Sequence, residues 1–255
     1  MQRSPGLTAL VDDSALLAQE AQLHLTDLHG GHARWGVDLA AGTFSFTSQP
    51  DDGEGASVSY PVQLIGSAAP GPRSWLWGWA NPSGYSPQVL RAAEAARTLG
   101  ETYGIPELTA GEVPFDPEGD TAGADADGEQ VTPGARLAWD LTRAAAIASN
   151  TWFAYSGEVS GGTRVMMLLE GLTLPAASFP RVTRLISEAL ASGVLTDHRR
   201  AVSSYATLRD LGWDGSHLVL PDGALTITFD DAGRITNMQG STGAAGPSGS
   251  VTPAP

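Results

Sequence analysis

Two carboxylates, Glu107 and Glu112, flank the tetrapeptide "LTAG" after Pro106. Upstream, "PRSWLWGWANPSGY" sets Trp75, Trp77 and Trp79 at every second position and follows them with Asn81. In an extended segment, positions two apart share a face, so the three rings lie together and Leu76, Gly78 and Ala80 line the opposite side. Each indole buries about 150 to 250 Å² when covered, so the three build either a core layer or the wall of a groove. Aromatic walls with a few polar anchors are the usual make-up of a ligand pocket, which makes Trp75, Trp77, Trp79, Asn81, Glu107 and Glu112 the candidate binding residues. A carboxylate set against such walls is held in its acid form, and that is the route by which Glu107 or Glu112 would serve as a general acid or base.

Other chemistry finds less support. The five histidines, His24, His29, His32, His198 and His217, include no pair at metalloprotease spacing. His29 and His32, three apart in a glycine-rich turn, are the nearest approach. Counting the acidic stretch from Asp116 as a calcium loop puts Glu118 and Asp120 at suitable positions. Thr121 then falls where glycine is needed and Asp127 where a bidentate glutamate is needed, so no metal is expected. The glycines Gly157, Gly161 and Gly162 are followed by no lysine and lead into a strand, which is a hairpin turn rather than a phosphate loop. "GPSGS" at 246–250 fits neither the spacing nor the context of a hydrolase nucleophile. No cofactor and no catalytic residue is assigned.

Composition narrows the class. The chain has 255 residues, 42% of them hydrophobic, and no cysteine, which removes disulfides, thiolate metal sites and cysteine nucleophiles. Its formal charge of −14 repels phosphate backbones and anionic lipid, so neither nucleic acid nor membrane is an expected partner. No apolar run approaches the roughly 20 residues of a membrane helix, and the start lacks a signal-peptide core, so the expected location is the cytoplasm.

Periodicity sets the elements that position these residues. Leu17, Ala21, Leu25 and Leu28 predict a helix from Ser14 to Leu28 behind Asp12 and Asp13. From Trp35 the period falls to two, predicting a hairpin through Phe44 and Phe46, a strand from Val58 to Leu64, and the tryptophan strand. Ser86 and Pro87 open a helix with Val89, Ala92, Ala96 and Tyr103 inward and Gly104 at its end. Residues 109–132 read as an exposed acidic loop, and Thr132-Pro133 opens a helix with Leu137 and Leu141 inward. "TWFAYS" and "TRVMMLLE" then form a hairpin, followed by two helices around Leu185 and from Asp197 to Leu211, and three short strands. The strands come in hairpins and runs, which predicts an α+β fold of mainly antiparallel sheet packed with about five helices. The expected organisation is a single domain over 1–239, its halves divided by the acidic loop, and a disordered Gly/Ser/Pro tail over 240–255.

The segments "WGVDLAAGTFSF", "VQLIGS", "SWLWGWANPS", "GIPELTAGEVP" and "AWDLTRAAA" through "VMMLLEGL" resemble, in this order, a family of uncharacterised actinobacterial proteins known as a domain of unknown function. The likeness spans about residues 35–212, and Trp-Leu-Trp-x-Trp-Ala-Asn-Pro is its most specific element. It implies an intracellular bacterial protein and brings no reaction or cofactor with it. The expectation is therefore a non-enzymatic protein that binds a protein or small-molecule ligand through an aromatic surface; the alternative is a hydrolase-like enzyme using a glutamate.

Overall fold

A serine followed by a proline starts the first helix, because the hydroxyl can cap an amide that has no intrahelical partner and proline has none to lose. In the computed structural model, which describes residues 3–48, 55–115 and 134–243, Ser4 Oγ accepts from Leu7 N at 3.2 Å and α1 runs over Pro5–His29. The helix thus begins nine residues before the predicted Ser14. Asp12, expected as a cap, is instead buried at 2% exposure within it, and Leu28 is turned out to solvent.

The chain divides into two compact units, Met1–Leu174 and Pro175–Pro255. In the first unit α1 is followed by β1 (His32–Asp38), β2 (Thr43–Ser48), β3 (Ser57–Ala69), β4 (Ser74–Trp77) and one 3-10 turn at Gly78–Ala80. Next come α2 (Pro87–Tyr103), α3 (Pro106–Thr109), β5 (Glu112–Pro114), α4 (Ala135–Ser149), β6 (Phe153–Glu158) and β7 (Arg164–Leu169). The second unit holds α5 (Phe179–Ala191), α6 (His198–Leu208) and four strands, β8 (Gly212–Trp213), β9 (His217–Leu220), β10 (Gly223–Phe229) and β11 (Ile235–Thr242). All strand pairs are antiparallel, so the fold is α+β, with six helices among the described residues.

Strand β3 organises the first unit. Residues 57–61 pair with β2 and residues 62–68 with β7, while residues 66–69 also pair with β4. One residue, Ile65, bulges in the pairing with β7, and β6 continues the sheet beyond β7. This position explains the unbroken apolar run of β7: Met166 and Leu168 pack into the core shared with α1, α2 and α4. Met167 and Leu169 pack on the other face with Phe44, Phe46 and Phe153. A strand covered on both faces has no polar position to alternate with. The outer positions of the β2 and β3 pair, by contrast, are Ser45 opposite Ser59 and Thr47 opposite Ser57.

Other expectations change too. The tryptophan strand ends at Trp77, because the chain turns into the 3-10 helix at Gly78, so Trp79 leaves the strand face. The predicted loop from 109 begins instead with the end of α3 and with β5, which pairs with β4 and buries Val113; residues 116–133, including the calcium-like stretch and Thr132-Pro133, lie outside the described residues. Helix α2 matches its signals, with Gly104 left-handed at φ 66°, although Tyr103 is 71% exposed because it sits in the last turn, past the helix's packed face. In the second unit β11 continues through Gly240 to Thr242, since Gly240 gives the Phe179 ring of α5 room to lie against the strand.

In the sheet under the helices, β3 comes closest to the tryptophans at Gly66. A Cβ there would run into the Trp75 ring and stand 2.5 Å from the Leu76 carbonyl oxygen. Gly66→Ala should therefore lower stability by about 1 to 3 kcal/mol through overpacking, measured as a fall in the urea midpoint at unchanged slope.

Candidate functional site

Trp75 and Trp77 lie on one face of β4 as their spacing requires, and both are fully buried. Their rings meet edge to face at 5.4 Å, and Trp77 in turn stacks on Trp79 with centroids 6.5 Å apart. Trp79 is half-buried, with the Arg97 guanidinium of α2 over its ring at 4.6 Å. The three rings thus form a ladder from the core to the surface. Of the three, Trp79 alone reaches solvent, and its indole N–H has no acceptor among the described residues. On the opposite side Gly78 gives Leu90 of α2 its close approach, at 3.0 Å from where a Cβ would stand.

The two glutamates are held apart by different partners. Glu107 is buried in α3, where its Oε1 accepts from Ser4 N at 2.6 Å and its Oε2 from Ser4 Oγ at 2.7 Å. Its own carbonyl accepts from Trp77 Nε1 at 2.9 Å. Next to this contact Arg3 pairs with the buried Asp140 of α4 at 2.5 Å, so two buried carboxylates fasten the start of α1. Glu112 is exposed on β5 and accepts from Ser74 Oγ. Asn81 spends its side-chain carbonyl on Ser83 N at 3.0 Å, closing the turn after the 3-10 helix. The structure therefore brings the tryptophans together with the backbone of Glu107, and gives the Glu107 carboxylate an anchoring task.

A second cluster, whose partners are far apart in sequence, gathers at the curled end of the same sheet. His29, at the end of α1, stacks on Phe46 of β2 at 4.5 Å, and its Nε2 meets the Tyr60 hydroxyl of β3 at 2.7 Å. His32 Nδ1 lies 2.7 Å from the His29 carbonyl oxygen. A carbonyl can only accept, so Nδ1 carries the proton and Nε2 is left with its lone pair. The Tyr155 hydroxyl of β6 donates to that Nε2 at 3.3 Å. Trp35 of β1 stacks against Phe44 and reaches β6, where a Cβ on Gly157 would stand 2.5 Å from its ring. Side chains thus join β1 to β6 without a ladder between them.

Three groups of this cluster, the His29 imidazole and the Tyr60 and Tyr155 phenols, are held toward their uncharged forms. Burial, and then the neighbouring His32, hold the His29 imidazole below its ordinary value, and burial raises Tyr60 and pushes Tyr155 up to about 12. His29, His32, Trp35, Tyr60 and Tyr155 are each half-buried, with exposed Val37 and Val58 on the same sheet face and Leu28 beside His29. The "HGGH" spacing marked the two histidines. Their tyrosine partners lie 31 and 123 residues away, where local spacing carries no signal.

Among the described residues no three His, Cys, Asp or Glu side chains are grouped to hold a metal, and no helix is long and apolar enough to cross a membrane. Ser216, His217 and Asp214 share hydrogen bonds in the second unit, but Ser216 and Asp214 both meet the same ring nitrogen, Nδ1, in an exposed turn. That is a turn-closing arrangement without the relay of a hydrolase triad, which uses both ring nitrogens.

An antiparallel sheet with this tryptophan ladder and helix layer defines the class as an α+β protein built around β3. A model described as a family of unknown function, DUF6882, matches residues 8–172, and the chain belongs to that family. The matched span begins within α1 and ends inside the first unit. No curated protein and no solved structure matches the chain.

Two outcomes follow from this geometry. Glu107→Gln and Ser4→Ala should each cost about 1 to 3 kcal/mol, and the double variant should cost far less than their sum, because one hydrogen-bonded pair is removed twice; a denaturation double-mutant cycle reads this. For His29, the unfolded imidazole takes up its proton at its ordinary 6.5 while the folded one resists to lower pH. The unfolded state then binds more protons in that window, so stability falls as pH drops through it. Urea midpoints between about pH 7.5 and 5.5 should show this fall, and His29→Gln should flatten it.

Proposed function

We propose that the chain is a non-enzymatic binding protein whose contact face is the half-exposed cluster of His29, His32, Trp35, Tyr60 and Tyr155. The observation that carries this reading is the pair of imidazole–phenol hydrogen bonds, His29 with Tyr60 and His32 with Tyr155, set among stacked rings at the surface. Uncharged donors and acceptors over an aromatic wall suit an uncharged, flat ligand or an aromatic side chain of a partner. The corner after β4 belongs to the same proposal as a second contact: the half-buried Trp79 ring, followed by Asn81 and stacked on the buried Trp77, with Glu112 on the β5 edge. A cytoplasmic setting without nucleic-acid or membrane partners fits the charge of −14 and the lack of cysteine. The competing reading, a hydrolase-like enzyme using a glutamate, is disfavoured because both Glu107 oxygens are already engaged by Ser4.

The test is native mass spectrometry of gently purified protein against its denatured mass. The expected result is added mass that disappears on denaturation, with affinity for the released ligand at least about tenfold weaker in Tyr155→Phe with His32→Ala, the loss of roughly 1.4 kcal/mol of binding. Retention of the ligand in that folded variant, with loss in Trp79→Ala, would move the site to the β4 corner. A bare chain that nonetheless shows turnover abolished by Glu112→Gln would favour the enzyme.

A further inference from the structure

Each sheet edge in the described residues carries a device that discourages pairing, with one exception. Strand β1 has Arg34, Asp38 and a register shift at its start; β5 is three residues long and ends in proline. Strand β6 ends in Glu158, with Trp35 lying over Gly157, and β8 has two residues. Strand β11 has eight residues, Ile-Thr-Asn-Met-Gln-Gly-Ser-Thr, with neither charge nor proline, and the chain has no lysine at all. Six of its residues are exposed, its one register shift against β10 falls at Thr236, near its start, and β10 is its sole neighbour among the described strands. Exposed, uncharged edges of this length are open templates for another strand.

We infer that β11 is a dimerisation edge, which pairs antiparallel with β11 of a second copy to make one eight-stranded sheet from two four-stranded ones. Two observations select a second copy as the occupant. The outer positions Asn237, Gln239 and Ser241, opposite Thr228, Thr226 and Ala224, all carry groups that both donate and accept, so a strand of this composition is complementary to itself. Charge selects the unit: Met1–Leu174 holds 21 of the 28 acidic and 8 of the 14 basic side chains, leaving seven and six for Pro175–Pro255. Two first units repel each other, whereas two second units meet almost without net charge.

A twofold axis perpendicular to the sheet keeps the helix-covered faces on the same side. It therefore allows registers centred on Met238 or on Gln239, which set Asn237 opposite Gln239 or Gln239 opposite itself. Asn237 and Gln239 are exposed on the outer face, so charging them leaves the packing of each copy intact.

Sedimentation equilibrium on the full chain, up to about 100 µM, should show a dimer. Asn237→Lys with Gln239→Lys should be monomeric, and so should Asn237→Glu with Gln239→Glu, each with the unfolding midpoint the wild type shows when diluted to monomer. Mixing the two variants should restore a heterodimer, because in either register lysine then faces glutamate. A monomeric wild type at every concentration overturns the inference, as does a dimer that survives both charged variants. A dimer that forms only after deletion of residues 244–255 also overturns it, by making the chain's own end the occupant.

Discussion

The first unit depends on one close approach, the Trp75 ring over the bare backbone of Gly66 in β3. No other residue type leaves room for an indole there, and the approach fixes how β4 lies on the central strand. From that contact the order extends outward. Trp75 meets Trp77 edge to face, Trp77 donates to the Glu107 carbonyl, and the Glu107 carboxylate holds Ser4 at the start of α1. A core aromatic thus reaches a helix cap through two short residues' worth of polar contacts, which is why a buried carboxylate is tolerated in α3: both of its oxygens are hydrogen-bonded.

The curled side of the sheet is held differently. There, among the described residues, β1 and β6 are joined by rings and the one His32–Tyr155 pair, a seam weaker than a strand ladder and half-exposed to solvent. Such a seam is where a protein can present polar groups without exposing unpaired backbone. The same sheet therefore has a sealed half under the helices, where the tryptophans sit, and a half-open one where the histidines sit. The proposed contact face lies on the second, since a fully buried ring cannot meet a ligand without local unfolding.

Much of this was legible in the chain. Alternation identified β1, β2 and β10; proline and glycine punctuation placed α2; and the rings of Trp75 and Trp77 share a face because strand geometry leaves no alternative. Three things were not. The early start of α1 was hidden because Asp12 and Asp13 look like caps, while the actual cap, Ser4, is confirmed by a partner 103 residues away. Trp79 continues the two-residue rhythm, yet a 3-10 turn takes it off the strand. The hydrogen-bond partners of His29 and His32 come from β3 and β6.

The sequence by itself determined the α+β class and the antiparallel hairpins, because these follow from local period and turn chemistry, and its segments match a family of unknown function. Tertiary structure alone decided which aromatic residues are core and which are surface, and which carboxylate is an anchor. Those outcomes depend on distant strands meeting across β3, and side-chain spacing along a chain contains no measure of that distance.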